Sequence, residues 1–398
     1  MRMKQHILRI LKVIGFLCVI ILCLELVYFV YTTYFKEHKK AYFDGITAIT
    51  MKDDIYVSVG SINDNDYQYD KAKITRYNKK KEKIWEKIFN KGYNSAFFDV
   101  LLDGEDTIVV GSYEASQEEK ENKIRTALLI KYDKDGKLVF EKEFQELGNS
   151  KFISVAIVDD GYLVVGQSIY EEKVTGNSMQ GGAILAKYSK DGKPIWQRNY
   201  GSSKAGCFQD LLVLDDYVYV VGKESEEVGV LAKYTMSGEE VRAVTYSTTD
   251  SVGFTSLASL DDELFVTAAK RQGEAQYDAL LVEYDLDLDY MNEVTYHSGD
   301  KARFSKVIID NNQDLVVIGQ EAKKKKNRYS YNAIIGKYRS NLEKADVFLY
   351  GNEEDDYFTD IIMDGKDYLI TGYSYYKKDG YLSKLLTYSD ALKPLEVK

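Results

Sequence analysis

The residue types that most often carry catalysis or bind metals are scarce in this chain of 398 residues. Its three histidines, His6, His38 and His297, lie far apart. Zinc sites and catalytic triads need histidine close to other ligands or to a nucleophile, and no such cluster is present. Two of the three cysteines lie in the first 25 residues, so Cys207 is expected to be a small packed residue without a disulfide partner. The sequence predicts no metal site, no cofactor and no enzyme of these classes.

One acidic stretch has the spacing of a calcium-binding loop. In YDLDLDY, Asp285, Asp287 and Asp289 alternate with other residues, as in the first positions of an EF-hand. Tyr290 stands where that loop needs glycine, and Tyr296 where it needs a bidentate glutamate. The stretch also aligns with a turn of the internal repeat described below. A polar hairpin turn is therefore the favoured interpretation.

A second set of polar residues recurs once in each copy of an internal repeat, two positions after an apolar anchor. The set comprises Asp99, Ser154, Asp210, Ser256, Lys306 and Asp360, with Ala48 in the first copy. If these residues face a common channel, three carboxylates and one amine line its mouth. We treat the set as a candidate binding site, and a hydrated channel without a ligand is the alternative.

The repeat itself has a period of about 50 residues. In the third copy, KFISVAIVDDGYLVVGQS is followed by a polar loop and by AILAKYSKDGKPIWQRNYG. These segments have the patterning of four short β-strands. The apolar anchor of the first strand recurs at Ile46, Phe97, Phe152, Phe208, Phe254, Phe304 and Phe358. A tyrosine in the third strand recurs at Tyr77, Tyr132, Tyr188, Tyr234, Tyr284, Tyr338 and Tyr388. Seven such units predict an all-β fold, a seven-bladed β-propeller with four-stranded blades over residues 46–398.

The end of the second strand is marked by a small residue in every copy. It is glycine in six copies and Ala268 in the fifth; the glycines are Gly60, Gly111, Gly166, Gly222, Gly319 and Gly372.

Two prolines indicate the order of the strands. Pro194 and Pro394 both begin the fourth run of their copy. Proline is tolerated on edge strands, where no ladder hydrogen bond is lost. The fourth strand is therefore predicted to be outermost and the first to line the central channel.

No spare strand remains for exchange between the end blades, so we expect the ring to close by packing alone. Gly192 is expected to supply a positive φ in the turn SKDGK.

The pattern KYDKDGKLVF, with second strands such as YLVVG, resembles bacterial propeller repeats of the PQQ-like, kelch-like and WD40-like superfamilies. The resemblance covers nearly all of residues 46–398 and implies the propeller shape. It implies no particular activity, because these propellers serve many tasks. A quinone cofactor would need a stacking tryptophan and vicinal cysteines, which are not apparent here, so no cofactor is expected.

Loop lengths indicate which face of the propeller binds. The loops from the second to the third strand vary most between copies, and variable loops on a rigid scaffold usually carry binding. One of them, EAKKKKNRYS, is strongly basic; its cations are Lys323, Lys324, Lys325, Lys326 and Arg328. It is a candidate contact for anionic lipid or wall polymer, and a solvated loop is the alternative.

The N-terminus has the features of an uncleaved signal-anchor. Residues 1–12 form a short basic tail with Arg2, Lys4, Arg9 and Lys12. Residues 13–33 are long and apolar enough for a helix that crosses about 30 Å of hydrocarbon. The first alanine of the chain is Ala41, beyond a charged stretch, so signal cleavage, which needs small residues before the cut, is not expected. Residues 34–45 are expected to be a juxtamembrane linker. The excess of positive charge on the tail favours a cytoplasmic tail and an extracytoplasmic domain in the cell membrane.

The formal net charge of −10 excludes non-specific binding to nucleic acid as a main function. The leading hypothesis is an extracytoplasmic binding or scaffolding propeller without catalytic machinery, whose partner is a protein or a cell-wall polymer at the variable-loop face. One alternative is a cell-surface polysaccharide hydrolase or lyase that uses the channel-mouth carboxylates. The other is a protein-interaction module in envelope assembly.

Overall fold

The structure is a computed structural model of the chain. It describes residues 43–63, 69–115, 125–144, 149–171, 179–201, 203, 205–246, 252–272, 276–298, 300–325, 328–351, 355–376 and 380–397. Within these residues all regular structure is β-strand, in 28 strands. No helix in these ranges has the length and apolar character of a membrane span. The predicted anchor at residues 13–33 and the tail before it lie outside the described residues.

The strands follow one another as antiparallel meanders of four. The first contains β1 (Phe43–Lys52), β2 (Ile55–Asn63), β3 (Lys71–Tyr77) and β4 (Lys83–Phe89). The second contains β5 (Ser95–Asp103), β6 (Asp106–Glu114), β7 (Arg125–Tyr132) and β8 (Leu138–Phe144). The third contains β9 (Ser150–Val158), β10 (Gly161–Glu171), β11 (Met179–Ser189) and β12 (Pro194–Tyr200). The fourth contains β13 (Cys207–Leu214), β14 (Tyr217–Lys223), β15 (Gly229–Thr235) and β16 (Glu240–Tyr246).

The remaining strands continue the same pattern. The fifth meander contains β17 (Val252–Leu260), β18 (Glu263–Gln272), β19 (Gln276–Asp285) and β20 (Tyr290–Tyr296). The sixth contains β21 (Lys301–Ile309), β22 (Leu315–Lys325), β23 (Arg328–Tyr338) and β24 (Lys344–Tyr350). The seventh contains β25 (Asp356–Asp364), β26 (Asp367–Tyr376), β27 (Gly380–Tyr388) and β28 (Pro394–Val397).

The fourth strand of each meander lies at an edge, because it pairs only with the third. Pro194 and Pro394 begin such edge strands, as the sequence predicts.

The turn between the third and fourth strands uses a positive φ. Gly192 has a φ of 76° in its turn, as predicted. The equivalent turns of the last three meanders place Leu288, Leu342 and Leu392 at positive φ instead. These leucines are buried, so their packing offsets the backbone strain.

The first strand begins earlier than the sequence predicts. The predicted linker ended at residue 45, whereas β1 starts at Phe43. Phe43 pairs with Tyr381 of β27, and its ring contacts Tyr373 and Tyr381 at centroid distances of 5.7 and 5.9 Å. This aromatic contact extends the strand by three residues. The pairing of β1 with β27 joins the first meander to the seventh, so the prediction that these two meanders meet by packing alone is wrong.

The apolar core lies between meanders. Six clusters of buried side chains in the described residues each join two meanders that are consecutive in the chain. A seventh cluster, Ile49, Tyr56 and Leu369, joins the last meander to the first. Strands buried on both faces explain the almost continuous apolar runs in the second and third strands.

Every first strand carries a β-bulge next to its anchor residue. The pairing with the second strand shifts there in all seven meanders, for example between Phe304 and Lys306. The bulge brings the first strand very close to the repeated glycine of the second strand. The sequence predicts that this glycine ends the strand, but the strand continues past it, in β22 as far as Lys325. A Cβ on Gly319 would lie 2.0 Å from the carbonyl oxygen of Arg303. The repeated glycine is therefore required by this close approach.

Candidate functional site

The bulges place one polar residue of each meander at a shared central cavity. The cavity has a volume of about 160 Å³, and five of the six predicted candidates line it: Asp99, Ser154, Asp210, Lys306 and Asp360. The bulged residues Thr47, Thr255 and Thr359 line it as well. Ser256 is fully buried beside it, bonded to Asp210 at 2.7 Å. The structure thus brings together all six residues of the predicted set.

The three aspartates each link two meanders. Asp99 Oδ2 accepts the backbone N–H of Val155 in the next meander at 2.9 Å. Asp360 Oδ2 accepts the backbone N–H of Ile49 at 2.8 Å, which connects the seventh meander to the first. Their second oxygens, Oδ1, accept the N–H of the residue that follows each of them. Both carboxylates are therefore occupied by backbone donors that burial would otherwise leave unsatisfied.

Asp210 is the centre of a side-chain network. Its Oδ1 accepts from the Ser154 hydroxyl at 3.1 Å, and its Oδ2 accepts from the Ser256 hydroxyl at 2.7 Å and from Lys306 Nζ at 3.2 Å. The Ser154 hydroxyl also lies 3.0 Å from Asp99 Oδ2. Side chains from the second to the sixth meander are thus connected through one carboxylate.

The bulged threonines add a second set of links. Thr47, Thr255 and Thr359 each donate a hydroxyl hydrogen bond to a carbonyl oxygen in the following meander, at 2.6, 2.9 and 2.7 Å. The acceptor of Thr359 is Ile46, so this pattern also connects the seventh meander to the first.

Enclosure changes the titration of the channel groups. Burial raises the pKa of Asp99 to about 6, although Lys306 and the N–H of Val155 oppose the rise. The pKa of Asp360 is raised for the same reason. Burial alone would lower the pKa of Lys306, but the attraction of Asp210, Asp360 and Asp99 raises it. The ammonium is therefore charged at neutral pH and neutralises part of the carboxylate charge.

A larger groove adjoins the central cavity at Thr255, which lines both, and opens at the face that carries the second-to-third and fourth-to-first connections. We call this the loop face. The groove has a volume of about 640 Å³. It is formed by the ends of β14 and β18, the starts of β17, β19, β21 and β23, and the middle of β22. Its charged and aromatic lining residues are Lys223, Glu226, Glu227, Arg271, Tyr277, Lys301, Arg303 and Tyr331.

The cations of this groove were not singled out from the sequence. Lys223 follows Gly222, the small residue that ends a second strand, and Lys301 and Arg303 precede the anchor Phe304. A signal was therefore present in the repeat alignment, because these positions flank the loop face. The cations are dispersed along the chain, unlike the lysine run of the sixth copy, and only the fold brings them together.

The basic segment predicted as a loop is mostly a β-hairpin. β22 continues to Lys325 and β23 resumes at Arg328, and these two residues pair in the ladder. Lys326 lies outside the described residues. Lys323 Nζ lies 3.1 Å from the buried carboxylate of Glu321, and Lys324 is exposed. The ladder forms because strand pairing satisfies the backbone even at a charged hairpin tip.

Two further predictions concern Asp285 and Cys207. The Asp285 carboxylate accepts the backbone N–H groups of Asp287 and Asp289 at 2.9 and 2.7 Å, and Asp289 pairs with Arg242. The stretch therefore forms the polar turn that the repeat alignment favours. Cys207 is a free, buried thiol, and burial raises its pKa to about 11.

Comparisons with known proteins identify the fold. No protein-family profile matches the chain, and no curated protein sequence matches it. Among solved structures, the β-propeller domain of the Trilobed protease from Pyrococcus furiosus, described as having an open velcro topology, aligns with a TM-score of 0.53 at 11% identity over 90% of this chain and 96% of that one. The acylaminoacyl peptidase of Pyrococcus horikoshii aligns with a TM-score of 0.53 at 11% identity, over 91% of this chain but only 53% of the peptidase.

Identities this low establish the architecture alone. The described residues have an all-β, β-propeller fold built from four-stranded antiparallel meanders. The parallel pairings of Phe43 with Tyr381 and of Tyr277 with Lys301 each join two meanders into an eight-stranded sheet. The resemblance that the repeats predict is confirmed at this level.

Proposed function

We propose that this chain is a membrane-anchored, extracytoplasmic binding module built on a closed seven-bladed β-propeller, with the ligand held in the loop-face groove. One observation carries the proposal. The cations Lys223, Lys301 and Arg303 line the groove, and none has a carboxylate ion-pair partner among the described residues. The channel carboxylates, in contrast, are already bonded to neighbouring meanders.

The same contrast argues against a polysaccharide hydrolase that uses the channel. Glycoside hydrolysis needs two carboxyl groups on either side of a sugar, with room for the ring. Here the oxygens of Asp99 and Asp210 are bridged by one serine hydroxyl, at 3.0 and 3.1 Å. A hydroxyl that lies within hydrogen-bond distance of both carboxylates occupies the space that the substrate would need. The channel network is therefore assigned to holding the meanders together.

The binding proposal is tested by site-specific photo-crosslinking of the full chain in its native membranes. A photoreactive residue replaces Ala269 in the groove or, as a matched control, the exposed Asn311 at the first-to-second turn on the opposite face. We expect a discrete crosslinked product only from position 269, and its loss when Arg303→Glu is added. The same products from both positions would contradict the proposal.

A parallel measurement separates binding from catalysis. The wild-type chain and a variant with Asp99, Asp210 and Asp360 all changed to Asn are incubated with a panel of glycans. We expect no turnover by either protein. Turnover by the wild type that disappears in a folded triple variant would favour the hydrolase instead.

The membrane anchor is part of the proposal and rests on the apolar run at residues 13–33. We expect deletion of residues 1–33 to release the protein from membranes. Protease added to intact cells is expected to digest the propeller, whereas digestion only after lysis would place it inside the cell.

A second candidate function, protein interaction through the rim, is favoured by the outer strands. All the large exposed apolar side chains of the described residues lie on fourth strands: Ile84, Leu138, Val139, Ile195, Val241, Tyr290, Met291, Phe348, Leu349 and Leu395. Exposed edges with apolar side chains can pair with another chain. Changing Leu138 and Val139 to Thr would weaken a rim contact and leave the groove crosslink unchanged.

A further inference from the structure

The groove on the loop face combines positive charge with aromatic surface. Lys223, Lys301 and Arg303 come from the fourth and sixth meanders, on a chain whose formal net charge is −10. Such a local reversal of sign focuses anions on one place. The groove is also within the size range of about 300–1,000 Å³ that is usual for small-ligand sites.

The lysine and arginine of the sixth meander are held without being neutralised. Lys301 Nζ lies 4.1 Å from the ring centroid of Tyr329 and 5.9 Å from that of Tyr277. With the Gln320 amide oxygen turned towards it, Arg303 donates from Nε at 2.9 Å and from Nη2 at 3.2 Å. Cation–π contact and a neutral amide orient these groups but leave their charge available to a ligand.

Tyrosine rings continue from the groove across the loop face. Tyr331 lines the groove and stacks on Tyr357 at a centroid distance of 5.4 Å. Tyr357 in turn contacts Tyr373 at 4.9 Å. The three rings are partly exposed, so they offer flat apolar faces with polar rims at low conformational cost.

Two carboxylates at the same groove distinguish between classes of anion. Glu226 and Glu227 line it together with the cations. Carboxylates repel an acidic peptide, which has few hydroxyl groups to offer in return. They accept hydrogen bonds from a ligand rich in hydroxyls. A ligand with both anionic groups and many hydroxyls uses the whole set.

We propose that the groove binds an anionic saccharide, that is, a sugar or sugar polymer bearing carboxylate or phosphate groups. The anion contacts Lys223, Lys301 and Arg303, the ring faces of Tyr277 and Tyr331 contact the apolar C–H face of the sugar, and the glutamates accept its hydroxyls. The inference rests on the proposed binding function and specifies its ligand.

The test measures binding to the full chain in detergent by isothermal titration calorimetry. The probes are an oligogalacturonate, glucose 6-phosphate, a neutral dextran of matched length and a poly-glutamate peptide. We expect the oligogalacturonate or the sugar phosphate to bind at least tenfold more tightly than dextran and poly-glutamate. The two anionic probes distinguish a carboxylate source from a phosphate source. The affinity is expected to fall as salt rises from 50 to 500 mM, because the exposed cations are screened.

Variants identify the site. Arg303→Gln and Lys301→Gln are expected to weaken binding at least tenfold, and Arg303→Lys less than Arg303→Gln. Lys324→Gln is the matched control, since Lys324 is exposed on the adjacent hairpin and does not line the groove. Thermal unfolding of each variant verifies that it is folded.

The outcomes separate this inference from the function on which it depends. Tighter binding of poly-glutamate, equal loss in Lys324→Gln, or no binding of either anionic sugar would overturn the saccharide assignment. If the crosslink from position 269 still forms in that case, the binding function stands with a different ligand. If the crosslink is absent as well, both fail.

Discussion

Asp99 shows how an enclosed carboxylate couples the channel to pH. Its pKa is raised to about 6, chiefly by burial. The folded protein therefore binds the proton more tightly than the unfolded chain, whose aspartates have a pKa near 3.9. The resulting stabilisation is fully present below pH 4 and is lost as the pH rises through 6. A shift of about two pKa units corresponds to about 3 kcal/mol.

We predict that Asp99→Asn removes this part of the pH dependence. Asn cannot ionise, but its amide oxygen can still accept the N–H of Val155. The fall in the free energy of unfolding between pH 4 and pH 7 should be smaller by about 3 kcal/mol than in the wild type. Urea denaturation at a series of pH values measures this.

A surface aspartate provides the control of opposite sign. The pKa of Asp160 is lowered by Lys187, which lies 2.8 Å away. Its contribution to stability is present at neutral pH and is lost as the pH falls. The free energy of unfolding of Asp160→Asn should therefore fall less on acidification than that of the wild type. Identical pH profiles for Asp99→Asn and the wild type would show that Asp99 is not the titrating group.

At the residue scale, the sequence predicted which side chains meet but not how they bond. The position two residues after the anchor selects Asp99, Asp210 and Asp360, and the structure places all three at one cavity. Their bonds to the next meander depend on the bulge, and a bulge adds one residue without any fixed sequence signal. The groove cations Lys301 and Arg303 were missed because their proximity to Lys223 arises only when meanders pack.

At the element scale, the repeated glycine of the second strand allows the bulged first strand to approach in six of the seven meanders. A Cβ on Gly166 would lie 2.0 Å from the carbonyl oxygen of Lys151 and 3.0 Å from the Cα of Phe152. The fifth meander has Ala268 at this place and Gly253 before its anchor. The first meander also has a glycine, Gly45, before its anchor, yet a Cβ on Gly60 would lie 1.9 Å from the Gly45 carbonyl oxygen. A glycine before the anchor therefore does not by itself explain how Ala268 fits.

We predict that Gly166→Ala destabilises the protein by about 1–3 kcal/mol, because the two strands must separate or the bulge must deform. The matched control is Ala268→Gly at the equivalent position of the fifth meander. It should cost only about 0.5–1 kcal/mol through backbone entropy. Urea midpoints of the two variants make the comparison, and a Gly166→Ala variant as stable as Ala268→Gly would refute the close-approach argument.

Most elements could be predicted because each copy of the repeat supports the assignment of the others. The aligned anchors and tyrosines located the four strands of every copy, and the prolines identified the edge strand. The start of β1 was wrong by three residues because Phe43 extends it through contacts with Tyr373 and Tyr381. Contacts between residues more than 300 positions apart are not visible in local sequence patterns.

At the scale of the whole molecule, the proposed closure of the ring depends on the joint between the last and first meanders. Ile49, Tyr56 and Leu369 form its apolar cluster, and Tyr56 Oη donates to Asp364 at 2.9 Å. The cluster is smaller than those of the other joints. Polar links therefore carry a larger share of this joint. In an open array the end units have one neighbour and unfold first, whereas in a closed ring every unit has two.

The last prediction compares two equivalent aspartates to test closure. Asp360→Ala removes the acceptor of the Ile49 N–H at the joint of the seventh and first meanders. Asp99→Ala does the same to Val155 at an internal joint, between the second and third. Burial raises the pKa of both carboxylates, so the electrostatic effects of removal are alike. Each change leaves a buried N–H unsatisfied at a cost of about 1–3 kcal/mol.

If the ring is closed, both variants should unfold in a single transition with similar loss of stability, since every joint belongs to one cooperative unit. Urea denaturation gives the transitions, and hydrogen exchange in β2 and β26 reports on the joint itself. An early transition in Asp360→Ala alone, with loss of protection confined to the first and seventh meanders, would mean that the two end meanders separate independently. Closure would then be a weak contact between the ends of an open array, and the rigidity that the loop-face groove needs would have to come from the internal joints of the fourth to sixth meanders.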